Sequence, residues 1–590
     1  HKEDGYRYDP DYPPAVMLSP RYLRKGIRER ILSNGKIKIP INEDDVREAC
    51  KVFIDEGINT IAISFIWSVL NQSHEIIAEK IVSEMMPKAF ITVGSKLYPQ
   101  IREYTRTSTA VTNAYLSPTL KSYVSAINEY FINLGGENNV RYYQSNGGLA
   151  TGDVMTDRSV YAINSGPASA PIAGLSIAKP FNYQNVITVD MGGTSFDITL
   201  TKEGSTNLNK NIDFLRYRIG VPMIQVETLG AGGGSIGWID QMGLLQVGPQ
   251  SAGANPGPAC YDNGGEEPTV SDANLVLGYL NPEGLIGGKL PLNYKNAFNS
   301  IKKNIAKPLD IEVQKAAYGI FTIVNNNMVN GIRRVTVERG YDPRDFVLVA
   351  GGGATGAHIT ALAKEMGIDT VLVSKLSSGL CAYGQIISDV KYNFMATIPT
   401  RLNLLKAAEE INNAFKGIES KGIKYLNKDG FEEKNIKIYR SLEMRYVGQI
   451  HECTVNIDFF EITNETLENI KEAFHNRHKE LYTYSETESP VELVNIESTI
   501  YGKIDRPTYL ELENKGQIND ALKTSRNLIF SETGNLIKTP VYDGNKLSPG
   551  HQINGPAVVE EDTTTLVIEP EWFLELHKSG TYIIKKKKTK

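Results

Sequence analysis

Only four cysteines occur in 590 residues, Cys50, Cys260, Cys381 and Cys453, far apart and without a C-x-x-C pair. That excludes a disulfide framework and a Cys-pair zinc site, and it suits a reduced compartment. No apolar run reaches the ~20 residues of a membrane span, and the first residues carry no signal-peptide core. The expected location is therefore cytoplasmic, with no membrane partner. A net charge of -5 offers no basic field for nucleic acid. The run Lys585-Lys586-Lys587-Lys588-Thr589-Lys590 is a local exception and reads as a solvated tail. What remains is an ordinary globular composition, 41% hydrophobic and 22% charged. The length corresponds to about three or four domains.

Glycine is plentiful, and its placement is informative. Val186-Ile187-Thr188-Val189 is an apolar strand that runs into Asp190-Met191-Gly192-Gly193-Thr194-Ser195-Phe196-Asp197. Ile198-Thr199-Leu200-Thr201 then alternates as a second strand. Gly-Gly between strands makes a hairpin turn, and a flanking Asp can simply cap it. The same pair of glycines can also bring backbone N–H groups close to an anion, with the two acids holding a hydrated Mg²⁺ or orienting a water. This is not a Walker A loop, which needs a Lys and a following helix.

Further along, Gly230-Ala231-Gly232-Gly233-Gly234-Ser235 concentrates glycine at a cost in chain entropy that packing alone explains poorly. A loop cradling phosphates or sealing a nucleotide cleft suits it better. Phe346–Ala350 is a buried strand ending in Gly351-Gly352-Gly353, with a helix beyond, a geometry suited to adenosine and an α-phosphate. A dinucleotide fingerprint is disfavoured because no acidic residue follows about twenty positions on in a βαβ setting. His358, at this helix start, reads as structural rather than as an acid or base. Cys260, in the loop 251–261, lacks a nucleophile motif and reads as a structural thiol.

Around these loops, Asp44–Glu56 and His74–Met86 are predicted helices flanking a strand at Thr60–Phe65. This αβα fragment needs more strands to close its sheet, so a portion upstream is expected. Ile101–Ala110 leads into a helix predicted to end near Pro118; its hydroxyls and arginines either grip an anion or cap the helix. A long amphipathic helix is predicted from Val313 to about Glu338. After about Thr400 helices at Leu402–Leu426 and Glu465–Tyr484 alternate with strands at Ile436–Ile457, Val491–Ile504 and Ala557–Ile568. His475 and His478 have metal-ligand spacing but no third ligand, so a solvated helix face is preferred.

Arg102-Glu103-Tyr104-Thr105-Arg106-Thr107-Ser108, Ser145-Asn146-Gly147-Gly148, Asp190–Asp197, Gly253–Tyr261 and Val337–Arg344, in that order, resemble the signature of the hydantoinase A / 5-oxoprolinase family. The resemblance runs over nearly the whole chain. It implies an α/β, actin-like (ribonuclease H-like) ATPase fold with an α+β C-terminal domain. The implied organisation is an N-terminal-region remnant at 1–86, the ATPase domain at 95–395 and the C-terminal domain at 401–580. Members begin with a further Asp-x-Gly-Gly-Thr-x-Thr-Asp loop that has no counterpart before Asp190, so the chain is expected to be N-terminally truncated. The resemblance further implies ATP and Mg²⁺ as cofactors, a small cyclic amide (a hydantoin, 5-oxoproline or other lactam) as substrate and a hydantoinase B-type subunit as partner. Asp190 and Asp197 would be catalytic and would hold the metal, with Thr194 beside the transferred phosphate. Gly192, Gly193, Gly232, Gly233, Gly234, Ser235, Gly351, Gly352 and Gly353 would bind the nucleotide. Phosphorylation of a ketone enolate or bicarbonate in a carboxylase, and nucleotide binding without turnover, are the alternatives.

Overall fold

The computed structural model describes residues 8–136, 140–507, 511–514 and 516–587. The first seven residues of the polar N-terminal segment and the end of the lysine run, Lys588–Lys590, lie outside the described residues.

The chain forms two compact units, each assembled from separated stretches. One comprises His1–Ser165, Leu208–Met223 and Ser388–Asp505; the other Gly166–Asn207, Ile224–Ile387 and Arg506–Lys590. Residues 401–580 are thus shared between them. Their strands explain this: Val491–Gly502 lies in the sheet of the first unit, whereas Trp572–Leu576 and Thr581–Lys586 extend the sheet of the second.

In the first unit, Thr60–Ile63 and Phe90–Val93 pair in parallel, joined through the helix Ser73–Met85. With the helix Glu43–Asp55 they enclose a small core of Val46, Cys50, Ile61, Ile63, Ala78 and Ile81. Asn42 caps the first of these helices by accepting from the Asp45 amide. A six-stranded sheet orders Cys453–Ile457, Ile436–Tyr446, Val491–Gly502, Val390–Arg401, Gly148–Thr151 and Arg141–Gln144.

Two sequence expectations fail here. The helix that starts at Glu103 does not stop near Pro118 but continues to Asn133. A proline removes one backbone donor from the helix. Burial of Ala110, Ala114, Ser117 and Val124 carries the helix through, and the Ser117 hydroxyl donates to the Asn113 carbonyl just before the proline. His475 and His478 do not present a solvated face either. His478 is buried, and its Nδ1 bonds the Tyr484 carbonyl at 2.8 Å and its Nε2 the Gln449 amide at 3.1 Å. His475 Nδ1 meets the Tyr446 hydroxyl at 2.7 Å.

The second unit is built on a long sheet in the order Glu227–Leu229, Phe196–Lys202, Val186–Met191, Val347–Gly351, Thr370–Ser374, Thr581–Lys586, Trp572–Leu576, Gln552–Asn554. Among the first three strands each adjacent pair is antiparallel; Val186–Met191, Val347–Gly351 and Thr370–Ser374 run parallel. Buried on both faces, the central strands read as near-continuous apolar runs. Ile187, Val189 and Met191 pack with the helix Val313–Val335, while Val186, Val347 and Val349 pack with the helix Ala170–Ala178. Gly174 lets the latter helix sit directly on the Thr188 side chain, because a Cβ there would overlap it. The long helix ends at Val335, three residues before its predicted end, and a short turn at Val337–Arg339 follows.

Candidate functional site

The strands Val186–Met191 and Phe196–Lys202 form the hairpin that carries Asp190. Its turn is closed by the Gly192 amide donating to the Ser195 carbonyl at 3.1 Å. Among the described residues, the next three amides, of Gly193, Thr194 and Ser195, have no hydrogen-bond acceptor. A Cβ added at Gly192 or Gly193 would meet nothing within 4 Å. Successive unpaired N–H groups beside open space form a concavity suited to an anion, and glycine keeps the approach clear.

Register places Asp190 directly opposite Asp197 across the two strands. Burial pushes the Asp190 carboxyl up to about 6; the Cys381 thiol, which donates to Oδ2 at 3.5 Å, works against that rise, and the neighbouring Asp197 adds to it. Burial also raises Asp197, which accepts from the Thr228 hydroxyl at 2.6 Å. Two half-buried carboxylates of like charge favour a nearby cation. Among the described residues no group of three or more His, Cys, Asp or Glu side chains forms a metal site. A pair of carboxylates fits an ion that takes one or two of them and completes its shell with water and phosphate oxygens, as Mg²⁺ does.

The other expected glycines fall into two classes. Gly192, Gly193, Gly233 and Gly353 border a cavity of about 520 Å³. Gly232, Gly234, Ser235, Gly351 and Gly352 instead seat the hairpin. A Cβ on Gly232 would lie 2.6 Å from the Thr194 amide nitrogen, the Gly234 amide donates to the Gly193 carbonyl at 2.6 Å, and Ser235 Oγ accepts from the Gly232 amide at 2.8 Å. Gly351 pairs in register with Asp190. Gly352 has φ +83° and lies so close beneath the Met191 carbonyl that a Cβ would overlap it. Thr194 is exposed at the tip of the turn.

The cavity wall also holds Ser271, Asn274, the loop 280–288 and Glu560–Thr565. Asn274 is 3% exposed, and its Oδ1 has no hydrogen-bond partner among the described residues. Its Nδ2 meets His358 Nε2 at 3.0 Å, while His358 Nδ1 meets Asn325 Oδ1 at 2.7 Å. Burial lowers the His358 pKa to about 3, so the ring is neutral, and it stacks on Phe321 at 4.8 Å. A neutral ring that donates from Nδ1 must accept at Nε2, which fixes the Asn274 amide with its Oδ1 as a free acceptor. A nucleotide fits this arrangement: an anion concavity, an adjoining cavity and an orphaned buried acceptor. Sequence reading missed Asn274, Thr228 and the contact of Cys381 with Asp190. Each reaches the site across a long stretch of chain, and no local motif marks it.

The chain resembles known proteins along nearly its whole length. Family models described as hydantoinase/oxoprolinase N-terminal region, hydantoinase/oxoprolinase, and hydantoinase/oxoprolinase C-terminal domain match residues 6–86, 106–394 and 400–581. The chain is 52% identical to caprolactamase subunit alpha of Pseudomonas jessenii, over 99% of this chain and 84% of that one. A 5-oxoprolinase of Saccharomyces cerevisiae is 30% identical over 90% of this chain but only 42% of its own length. The crystal structure of ATP-dependent caprolactamase from Pseudomonas jessenii superposes with a TM-score of 0.87, covering 99% of this chain and 85% of that one. A nucleotide-free acetone carboxylase structure, 25% identical, matches with a TM-score of 0.80 over 96% of this chain and 82% of that one. The mixed α/β fold is therefore shared with both. No helix among the described residues is long and apolar enough to cross a membrane.

Proposed function

Because the chain belongs to the hydantoinase/oxoprolinase family, we propose that it is the ATP-using subunit of an enzyme that opens a cyclic amide. The observation that carries this reading is the hairpin itself: three unpaired amides at its tip, two carboxylates in register behind them, and a nucleotide-sized cavity alongside. The strand sequence of antiparallel hairpin followed by two parallel strands supports an actin-like ATPase core. MgATP, when bound, would supply the phosphoryl group, the lactam carbonyl oxygen taking it up as the bond to ADP breaks. Water would then add to the activated ring carbon, the C–N bond break as the nitrogen takes up a proton, and a second water convert the resulting acyl phosphate to carboxylate and phosphate.

The chain's own groups serve that transfer by position. The amides of Gly193, Thr194 and Ser195 neutralise developing negative charge, the dominant contribution in phosphoryl chemistry. Asp190 and Asp197 hold the cation, and Asp197 orients the attacking group through its bond with Thr228. Gly192, Gly193, Gly233 and Gly353 face the nucleotide, while Gly232, Gly234, Ser235, Gly351 and Gly352 hold the loops that present them. A hydantoinase B-type subunit completes hydrolysis in the cytoplasm. The similarity to acetone carboxylase favours a second reading, in which a ketone enolate is phosphorylated for carboxylation.

Measuring ATP hydrolysis with the partner subunit over lactams, hydantoins and ketones, with and without bicarbonate, tests both. Stimulation by a lactam alone is the expected result. Stimulation only by a ketone with bicarbonate would favour the carboxylase, and no stimulation by any would overturn both.

A further inference from the structure

The first unit contains a cavity of about 640 Å³ that none of the nucleotide reading uses. Its wall carries Lys96, Arg158, Lys421, Lys424 and Lys428 and no Asp or Glu. Lys96 is tied to Glu79, and Lys428 lies 3.4 Å from Asp153. Among the described residues, Lys421 and Lys424 have no carboxylate partner, so their charge on the cavity wall is uncompensated. The helix Ala407–Lys428 sets Ile418, Lys421, Tyr425 and Lys428 at three- and four-residue spacing, which brings them to one face.

Arg158 gives this wall a fixed element. Its Nη1 donates to the Asn393 carbonyl at 3.2 Å, and its guanidinium lies over the rings of Phe394 at 5.3 Å and Tyr161 at 6.0 Å. A guanidinium held over rings and bonded to a carbonyl keeps its remaining donors in a set orientation and suits phosphate better than a flexible ammonium does. Tyr425 stacks on Phe394 with ring centres 6.0 Å apart and 24° between planes. With Leu97 and Pro99 these rings make an apolar wall beside the cationic one. The volume falls within the roughly 300–1,000 Å³ of small-molecule sites.

We propose that this cavity binds a small phosphorylated ligand with a planar apolar body. Arg158, Lys421 and Lys424 meet the phosphate dianion, and Phe394, Tyr161 and Tyr425 meet the plane. A carboxylate alone would leave the cationic wall undercompensated, and a neutral ring would leave it unused. The site is independent of the proposed ATP chemistry, whose residues all lie in the other unit.

Calorimetric titration of the full chain with phenyl phosphate tests it, with inorganic phosphate and phenol as separate arms. Phenyl phosphate should bind saturably, about ten-fold or more tighter than inorganic phosphate, and more weakly as salt is raised. Phenol should show no saturable binding. Lys421→Gln/Lys424→Gln, at exposed helix positions, should weaken phenyl phosphate about ten-fold with an unchanged thermal melt, and Arg158→Gln, which removes the guanidinium held over Phe394, serves as a second variant. Three results would each overturn the proposal: no saturable binding of phenyl phosphate, equal affinity for inorganic phosphate, or undiminished affinity in both variants.

Discussion

Asp190 and Asp197 stand directly opposite one another on adjacent strands, and burial holds both carboxyls above the ordinary range. Like charges at a cross-strand pair are unfavourable. The cation proposed between them would offset that repulsion.

Asp190→Asn is nearly isosteric and removes one charge of this pair. Relieving the repulsion should leave the thermal midpoint unchanged or raise it. Nucleotide turnover in the presence of Mg²⁺ and the partner subunit should fall by roughly two orders of magnitude or more, as for other preorganised electrostatic groups. Wild-type turnover in this variant would sink the assignment of Asp190.

The two classes of glycine should respond differently to substitution. Gly193→Val projects into open space, so it should weaken binding of a non-hydrolysable ATP analogue while the protein melts normally. Gly352→Val combines a left-handed backbone with overlap on the Met191 carbonyl, so it should lower the melting temperature before any binding is measured. The pair of melts and titrations checks this. Equal stability losses in both would erase the distinction between ligand-facing and loop-seating glycines.

The strand, turn and helix pattern of this region is legible in the chain because each element is local. Val186–Val189 reads as a buried apolar strand and Ile198–Thr201 as an alternating one, and glycine marks the turn between them. The route of the chain between units is not legible, since nothing near Thr581–Lys586 announces that it pairs with Thr370–Ser374, some two hundred residues earlier. Pro118 misled for a related reason: local propensity argued for a stop, and tertiary burial overruled it. At the site, the glycines could be found by composition, but not sorted. Gly192 and Gly232 look alike in sequence, and only the position of the neighbouring backbone separates open space at one from contact with Thr194 at the other.

Asn274 offers a sharper test of the cavity. Its orphaned Oδ1 should accept from a donor on the bound nucleotide, and its Nδ2 keeps His358 Nε2 satisfied. Asn274→Ala removes both. We expect about ten-fold weaker ATP-analogue binding together with a stability loss of about 1–3 kcal/mol from the unpaired ring nitrogen. Asn274→Asp supplies an acceptor but no donor toward the ring. If both variants bind the analogue as the wild type does, Asn274 does not contact the nucleotide.

His358 should also leave a mark on the pH dependence of stability. Its folded pKa, about 3, lies below the ordinary 6.5 because burial disfavours the charged ring. Between those values the unfolded chain binds a proton that the folded chain refuses, so acidification favours unfolding. The contribution is complete above pH 6.5 and is lost as pH falls from 6.5 toward 3. Asn274, Asn325 and Phe321, the groups that bond or stack on the ring, are uncharged and give the imidazolium no counter-ion. His358→Gln cannot titrate. Urea unfolding at a series of pH values should therefore show the wild type losing stability relative to this variant across that interval. Parallel curves for the two proteins from pH 7 to pH 4 would mean that the ring accepts its proton in the folded state, and that the neutral tautomer does not orient Asn274.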